Sequence, residues 1–169
     1  MLILAILTAC GGSWEPDWRV PTATINEILG HNATGEVDEA EELEDWIEIH
    51  NPSDEAIDLT GWTLHHESDD EAVGPWSFPD GLVLEPGEFL VLWCDGEPEQ
   101  GELHTGFQID AGVGYATHAL LLFDADEELV EEVRHGILFT DISWARMPDA
   151  GEDWRFLHEP TPGASNDAS

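Results

Sequence analysis

A chain of 169 residues with 38 acidic and 4 basic side chains carries a formal charge of −34, which excludes nucleic acid as a partner, because phosphate binding needs clustered Lys or Arg to displace counterions. Anionic membrane surfaces are disfavoured for the same reason, so membrane attachment must be covalent or hydrophobic. Eight tryptophans, six phenylalanines and a 41% apolar content supply one core and argue against disorder, in a chain whose length suits a single domain.

The chain opens on an uncharged apolar run, Met1 to Leu7, followed by Thr8-Ala9-Cys10-Gly11-Gly12. The run is too short to span a bilayer, which takes about 20 helical residues, but it suits the apolar region of an export signal. Leu7-Thr8-Ala9-Cys10 resembles a bacterial lipobox, with a large apolar residue three places before the cysteine, a small residue just before it and glycine after it. The resemblance implies diacylglycerol on the Cys10 thiol, cleavage before Cys10 and acylation of the new amino terminus, and several acyl chains together hold a protein stably at a membrane. Residues 1–9 are therefore expected to be a lipoprotein signal peptide, truncated because no basic segment precedes the apolar run. Residues 10–23, with Trp14 and Trp18 among prolines, are expected to be the lipidated start and a tether. An apolar N-terminal strand with a buried Cys10, and a Cys10–Cys94 disulfide, stay open as alternatives. With only two cysteines, a dense disulfide framework and a multi-cysteine zinc site are excluded. Cys94 follows a hydrophobic strand and is expected to be buried and inert.

Short β-rich runs separated by glycine, proline and acidic clusters follow. Ile25 to Leu29 is the first. From Asp45 to Leu64 two period-two runs flank the turn Asn51-Pro52-Ser53-Asp54, with Trp46, Glu48 and His50 on one face of the first run and Ile47 and Ile49 on the other; a half-buried antiparallel sheet is the natural reading. The phase of the second run changes near Gly61. Trp76 to Phe78 and Leu82 to Leu84 are brief strands around Pro79-Asp80-Gly81. Phe89 to Cys94 is a continuous apolar run that fits a central strand covered on both faces. Ala119–Phe123, Leu129–His135, Ser143–Met147 and Trp154–Leu157 complete the set. No window shows helical spacing with caps, so the chain is expected to be all-β with little or no helix, a sandwich or barrel.

In order and spacing these motifs resemble the lamin tail domain, an immunoglobulin-like β-sandwich. The carriers are Ile25-Asn26-Glu27-Ile28, Trp46 to Ser53, Ile57 to Leu64, Trp76 to Pro79, Leu84 to Val91, Leu120 to Asp124, Ser143 to Asp149 and Thr161 to Asn166. The resemblance covers residues 24–166, leaving 167–169 as a tail. It implies an interaction or adhesion module. The nuclear role of eukaryotic members is not implied, since no heptad rod precedes Thr24, no basic localisation run is present and the charge opposes DNA. Physical roles follow for several carriers: Gly61 allows a bend that Trp62 covers, Gly87 and Gly163 suit the second central position of type II turns after proline, and Asp58, Glu27 and Asn51 are expected to bond neighbouring backbone.

Candidate chemistry is sparse. The eight histidines lack helical metal-ligand spacing, and the adjacent His65 and His66 point to opposite faces of a strand; a histidine cluster can arise only by folding. No G-x-S-x-G elbow is present. Calcium is the most plausible inorganic partner, because it takes carboxylate and carbonyl oxygens on loops. Its candidate ligands are Asp124, Asp126 and Glu128 in a hairpin turn, with further carboxylates in the loops Glu36 to Asp45 and Glu67 to Glu71. Asn32-Ala33-Thr34 matches a glycosylation acceptor, an accidental match in a bacterial lipoprotein. The expected function is a non-enzymatic, monomeric, lipid-anchored module of the bacterial cell envelope, at the outer membrane or cell surface, presenting loops and sheet edges to an unknown protein or envelope component and using no cofactor. A calcium-dependent structural module and an unrecognised enzyme are the alternatives.

Overall fold

The computed structural model describes residues 22–67, 72–109 and 118–168. The expected signal peptide, Cys10 and most of the tether, as well as the centre of the Glu67 to Glu71 acidic run, lie outside the described residues.

Eleven strands are present among them: β1 Thr24–Leu29, β2 Trp46–His50, β3 Ile57–Asp58, β4 Thr63–Glu67, β5 Ala72–Ser77, β6 Val83–Leu84, β7 Phe89–Trp93, β8 His118–Phe123, β9 Leu129–His135, β10 Ser143–Arg146 and β11 Trp154–Leu157, followed by a short 3-10 turn at Asn166–Ala168. They form a five-stranded sheet in the order β11-β10-β1-β2-β7, a four-stranded sheet β5-β4-β8-β9 and a two-stranded ribbon β3-β6. Every pairing within these sheets is antiparallel. The core lies between the two large sheets, where Ile25, Ile28, Ile47, Ile49 and Leu92 meet Leu64, Leu120, Leu122 and Val133. This is the expected all-β, immunoglobulin-like sandwich.

One break in alternation has a specific cause. Ile25 and Ile28 both face the core although three positions apart, because the β1–β2 register shifts between Ile25 and Glu27. The extra residue, Asn26, forms a bulge. It lets Glu27 point to the other face, opposite Glu48.

Three local expectations are corrected. The runs flanking Asn51 to Asp54 do not pair: β2 lies between β1 and β7, while β3 pairs with β6. The turn therefore carries the chain out of one sheet and into another. β2 is also buried on both faces, not one, because the C-terminal segment covers Glu48 and Phe89 stacks on His50. Finally, β7 is an edge strand, with Phe89, Leu90 and Val91 only half-buried. Its far end is covered by the following loop, where the Trp93 N–H donates to the Leu103 carbonyl at 2.9 Å and the Thr105 N–H to the Trp93 carbonyl at 2.8 Å.

The turn residues behave as expected. Gly61 takes φ +82° and Trp62 is buried beside it. Gly87 and Gly163 both take φ +75°, and the turns close through Glu88 N–H to Glu85 O and Ala164 N–H to Thr161 O, each at 3.0 Å. Asp58 accepts from the Thr60 N–H, and Asn51 bonds the backbone of Ser53, Glu55 and Leu84.

Candidate functional site

Two buried carboxylates stand side by side on the outer face of the five-stranded sheet. Glu27 and Glu48 are register partners and wholly buried. Glu27 bonds backbone, as expected, but that of the C-terminal turn, and it takes two hydroxyl groups besides. Its Oε1 accepts from Ser143 Oγ and its Oε2 from Thr161 Oγ1 at 2.9 Å, with the Thr161 N–H shared between both oxygens. Glu48 accepts from Asn26 Nδ2 at 3.1 Å and from the Gly163 N–H at 2.7 Å. Each carboxylate oxygen is thus spent on holding the bulge, β10 or the C-terminal segment. Asp149 joins the same clasp, bonding Asn26 Nδ2 and the Asn166 N–H through Oδ1. Burial pushes the Glu48 carboxyl up to about 8 against the opposing hydrogen bond from Asn26, and the nearby Glu27 carboxylate adds to the rise. Burial raises Glu27 as well, against the hydrogen bonds from Ser143 and Thr161.

The acidic loop 36–45 makes a second cluster. Asn32 gathers the loop by donating to the Glu36 carbonyl at 2.7 Å and the Glu44 carbonyl at 3.0 Å, so its side chain is committed internally, in keeping with an accidental acceptor motif. Asp38 Oδ1 accepts the N–H groups of Ala40 and Glu42, each at 2.8 Å. Its other oxygen, Oδ2, is buried with no hydrogen-bond partner. Facing it are Asp95, just past β7, and His104. The Asp95 side chain accepts from the Glu97 N–H through Oδ1 and pairs with His104 Nδ1 through Oδ2; His104 Nε2 lies 3.1 Å from Glu39 Oε2. Asp38, Asp95 and His104 are all buried, and each offers a ligand atom within 4.8 Å of the other two. Burial opposes protonation of His104, but the hydrogen bonds to Asp95 and Glu39 outweigh it and raise the imidazole above its ordinary value.

The sequence-derived candidates are placed differently. Asp124 Oδ1 accepts the N–H groups of Asp126 (2.9 Å) and Glu128 (3.0 Å), closing its own β8–β9 turn, while Asp126 and Glu128 are exposed. They do not form a compact metal-ligating group; among the described residues the Asp38, Asp95 and His104 set does. Cys94 is buried, and burial pushes its thiol far up from the ordinary range. Cys10, the lipidation candidate, lies outside the described residues.

Folding does assemble histidines, in the core and not at the surface. His66, His118 and His135 stack with centroid separations of 5.3–6.3 Å, and Phe107 packs on His66. His65 points the other way, against Phe123. The signal was available in the alternation, because His66, His118 and His135 share inward phase with Leu64, Leu120 and Val133.

The outward features are an edge and a cleft. β11 is the outermost strand of its sheet, and its Phe156 (46% exposed) meets Phe139 (48% exposed) edge to face at 5.1 Å. A cleft of about 330 Å³ opens between loop 34–36 and the C-terminal segment, lined by Leu29, Trp46, His158, Pro160 and Pro162. Among the described residues no helix is long and apolar enough to cross a membrane.

Comparison with known proteins gives one positive result. No curated protein matches the chain. The sequence model described as Lamin Tail Domain matches residues 20–136, a span holding β1 to β9; β10 and β11 lie beyond it yet extend the same sheet through β1. With most of the chain matched and the sandwich in place, the chain belongs to the lamin tail domain family.

Proposed function

We propose that this chain is a non-enzymatic binding module of the bacterial cell envelope, held at the membrane by lipid on Cys10 and meeting an envelope protein through the free edge of its five-stranded sheet. The observation that carries this reading is the exposed aromatic pair formed by Phe156 of the outermost strand β11 and Phe139 of the loop before β10. Large aromatic groups left in water beside an open edge suit partner docking, whereas an isolated exposed aliphatic residue would call for no explanation. The clasp supports a non-catalytic role for Glu27 and Glu48, since both are covered and hydrogen-bonded by the chain's own residues. The lipobox-like Leu7-Thr8-Ala9-Cys10 supports the anchor.

Sedimentation of the purified chain with washed envelopes from its own cells tests the docking surface. The wild-type chain is expected to co-sediment saturably, and the double variant Phe139→Ser/Phe156→Ser to lose at least about tenfold in affinity with unchanged circular dichroism. Equal binding by the variant would remove this edge from consideration.

A further inference from the structure

We propose that Asp38, Asp95 and His104 are the ligand set of a divalent transition-metal site, zinc by preference, which pins the acidic loop 36–45 to the segment following β7. Three observations converge on it. The ligand atoms of two carboxylates and one imidazole, from two stretches of chain far apart in sequence, lie within 4.8 Å of one another. Ligands bound to zinc at about 2.0–2.2 Å stand roughly 3.5 Å apart in a tetrahedron, so side-chain adjustment is enough to close the set. All three residues are buried, Asp38 at 7% exposure, Asp95 at 4% and His104 at 1%.

The second observation points to a missing partner. Asp38 uses Oδ1 twice within its own loop, while Oδ2 is buried and bonded to nothing. A buried carboxylate oxygen without a donor is costly and calls for a cation or a hydrogen bond. The third is the choice of donor atoms. Calcium takes six to eight oxygens, whereas a mixed imidazole and carboxylate set suits zinc and its neighbours. A dication bound here displaces the proton shared by His104 and Asp95, and it neutralises Asp38 and Asp95. Glu39, 3.1 Å from the opposite ring nitrogen, Nε2, accepts the proton held there and so fixes the tautomer that leaves Nδ1 to the metal.

Bound metal would join elements otherwise linked by isolated hydrogen bonds, such as Cys94 N–H to Asp45 O at 2.7 Å and Gln100 Nε2 to Glu42 Oε2 at 3.0 Å. The proposal is independent of the envelope-binding reading, because the site lies on a different part of the chain from Phe139 and Phe156.

Titration calorimetry of the full chain with zinc, paired with long-range proton–nitrogen spectra of the histidine rings, tests it. The chain is expected to bind a single zinc ion in the micromolar range or tighter, to keep it at high salt, and to show the shift at the His104 nitrogens. Asp38→Asn retains an amide oxygen for the Ala40 and Glu42 N–H groups while replacing the unpartnered oxygen, and is expected to weaken binding by about tenfold or more. Glu128→Gln, on the exposed β8–β9 turn, is expected to leave it unchanged. No binding at high salt, wild-type affinity in Asp38→Asn, calcium bound as tightly as zinc, or shifts confined to His66, His118 and His135 would each overturn the assignment. The ring spectra of the wild-type chain decide the matter even if the variant fails to fold.

Discussion

At the scale of single residues, Glu48 has the largest consequence for stability. The unfolded chain releases its proton near the ordinary carboxyl value of 4.5, whereas the folded chain holds it up to about 8. Between those values the folded state carries the extra proton, so the contribution of Glu48 to stability is greatest below about 4.5 and falls as the pH rises through about 8. The full fall amounts to roughly 4–5 kcal/mol. Glu27, raised by the same burial, acts in the same direction. Glu48→Gln cannot ionise, and urea unfolding at mildly acidic pH and at about pH 8 is expected to show a much smaller decline than in the wild type. An unchanged decline would mean that Glu48 is ionised in the fold at neutral pH. Sequence showed Glu48 only as the polar member of an alternating strand. Its burial was not legible, because the donor that covers it from the C-terminal segment, the Gly163 N–H, lies 115 residues away. The Asp38, Asp95 and His104 set was hidden for a similar reason. The loop carboxylates were visible as a run, but nothing in their spacing selected Asp38, or paired it with a histidine nine residues past Asp95.

At the scale of elements, the strands were nearly all legible, since alternation and Pro-Gly turns mark their positions without tertiary information. Their neighbours were not. β2 and β3 were adjacent in sequence yet join different sheets, and the apolar composition of β7 suggested a central strand although it sits at an edge partly covered by loop 101–109. The sheets are tied by one basic residue. Arg146 on β10 donates from Nε to the Ile25 carbonyl at 2.8 Å, from Nη1 to the Gly151 carbonyl and from Nη2 to Glu131 on β9, and it stacks over Trp154 at 4.6 Å. Glu131 in turn accepts from the Ile25 N–H and Thr24 Oγ1. The pair is mostly buried, and Arg146→Met keeps the aliphatic stem while leaving Glu131 without its cation. A loss of about 3 kcal/mol in unfolding free energy is expected; a loss below about 1 kcal/mol would show that the joint between sheets rests on apolar packing alone.

At the scale of the whole molecule, one sandwich, one clasp and a heavily acidic exterior account for the composition. The formal charge of −34 counts Glu48 as ionised, yet its raised carboxyl is protonated at neutral pH, so the folded chain is slightly less charged than its sequence. Most of the remaining acids lie in loops, where water screens them. Such a surface repels nucleic acid and anionic headgroups, so the membrane residence proposed above rests on the lipid proposed at Cys10 and not on charge. The fold class was legible because many short strands at this spacing close as a sandwich or barrel and the order of the motifs pointed to the sandwich; the proposed docking surface was not, because Phe139 and Phe156 meet only once β11 is laid beside β10. That the molecule works from a membrane surface is tested most directly by intact mass spectrometry of the protein extracted from its own cells' membranes. The expected mass is that of a chain beginning at Cys10 and carrying diacylglycerol and an amide-linked acyl group. Recovery in the soluble fraction with residues 1–9 attached and Cys10 unmodified would contradict it.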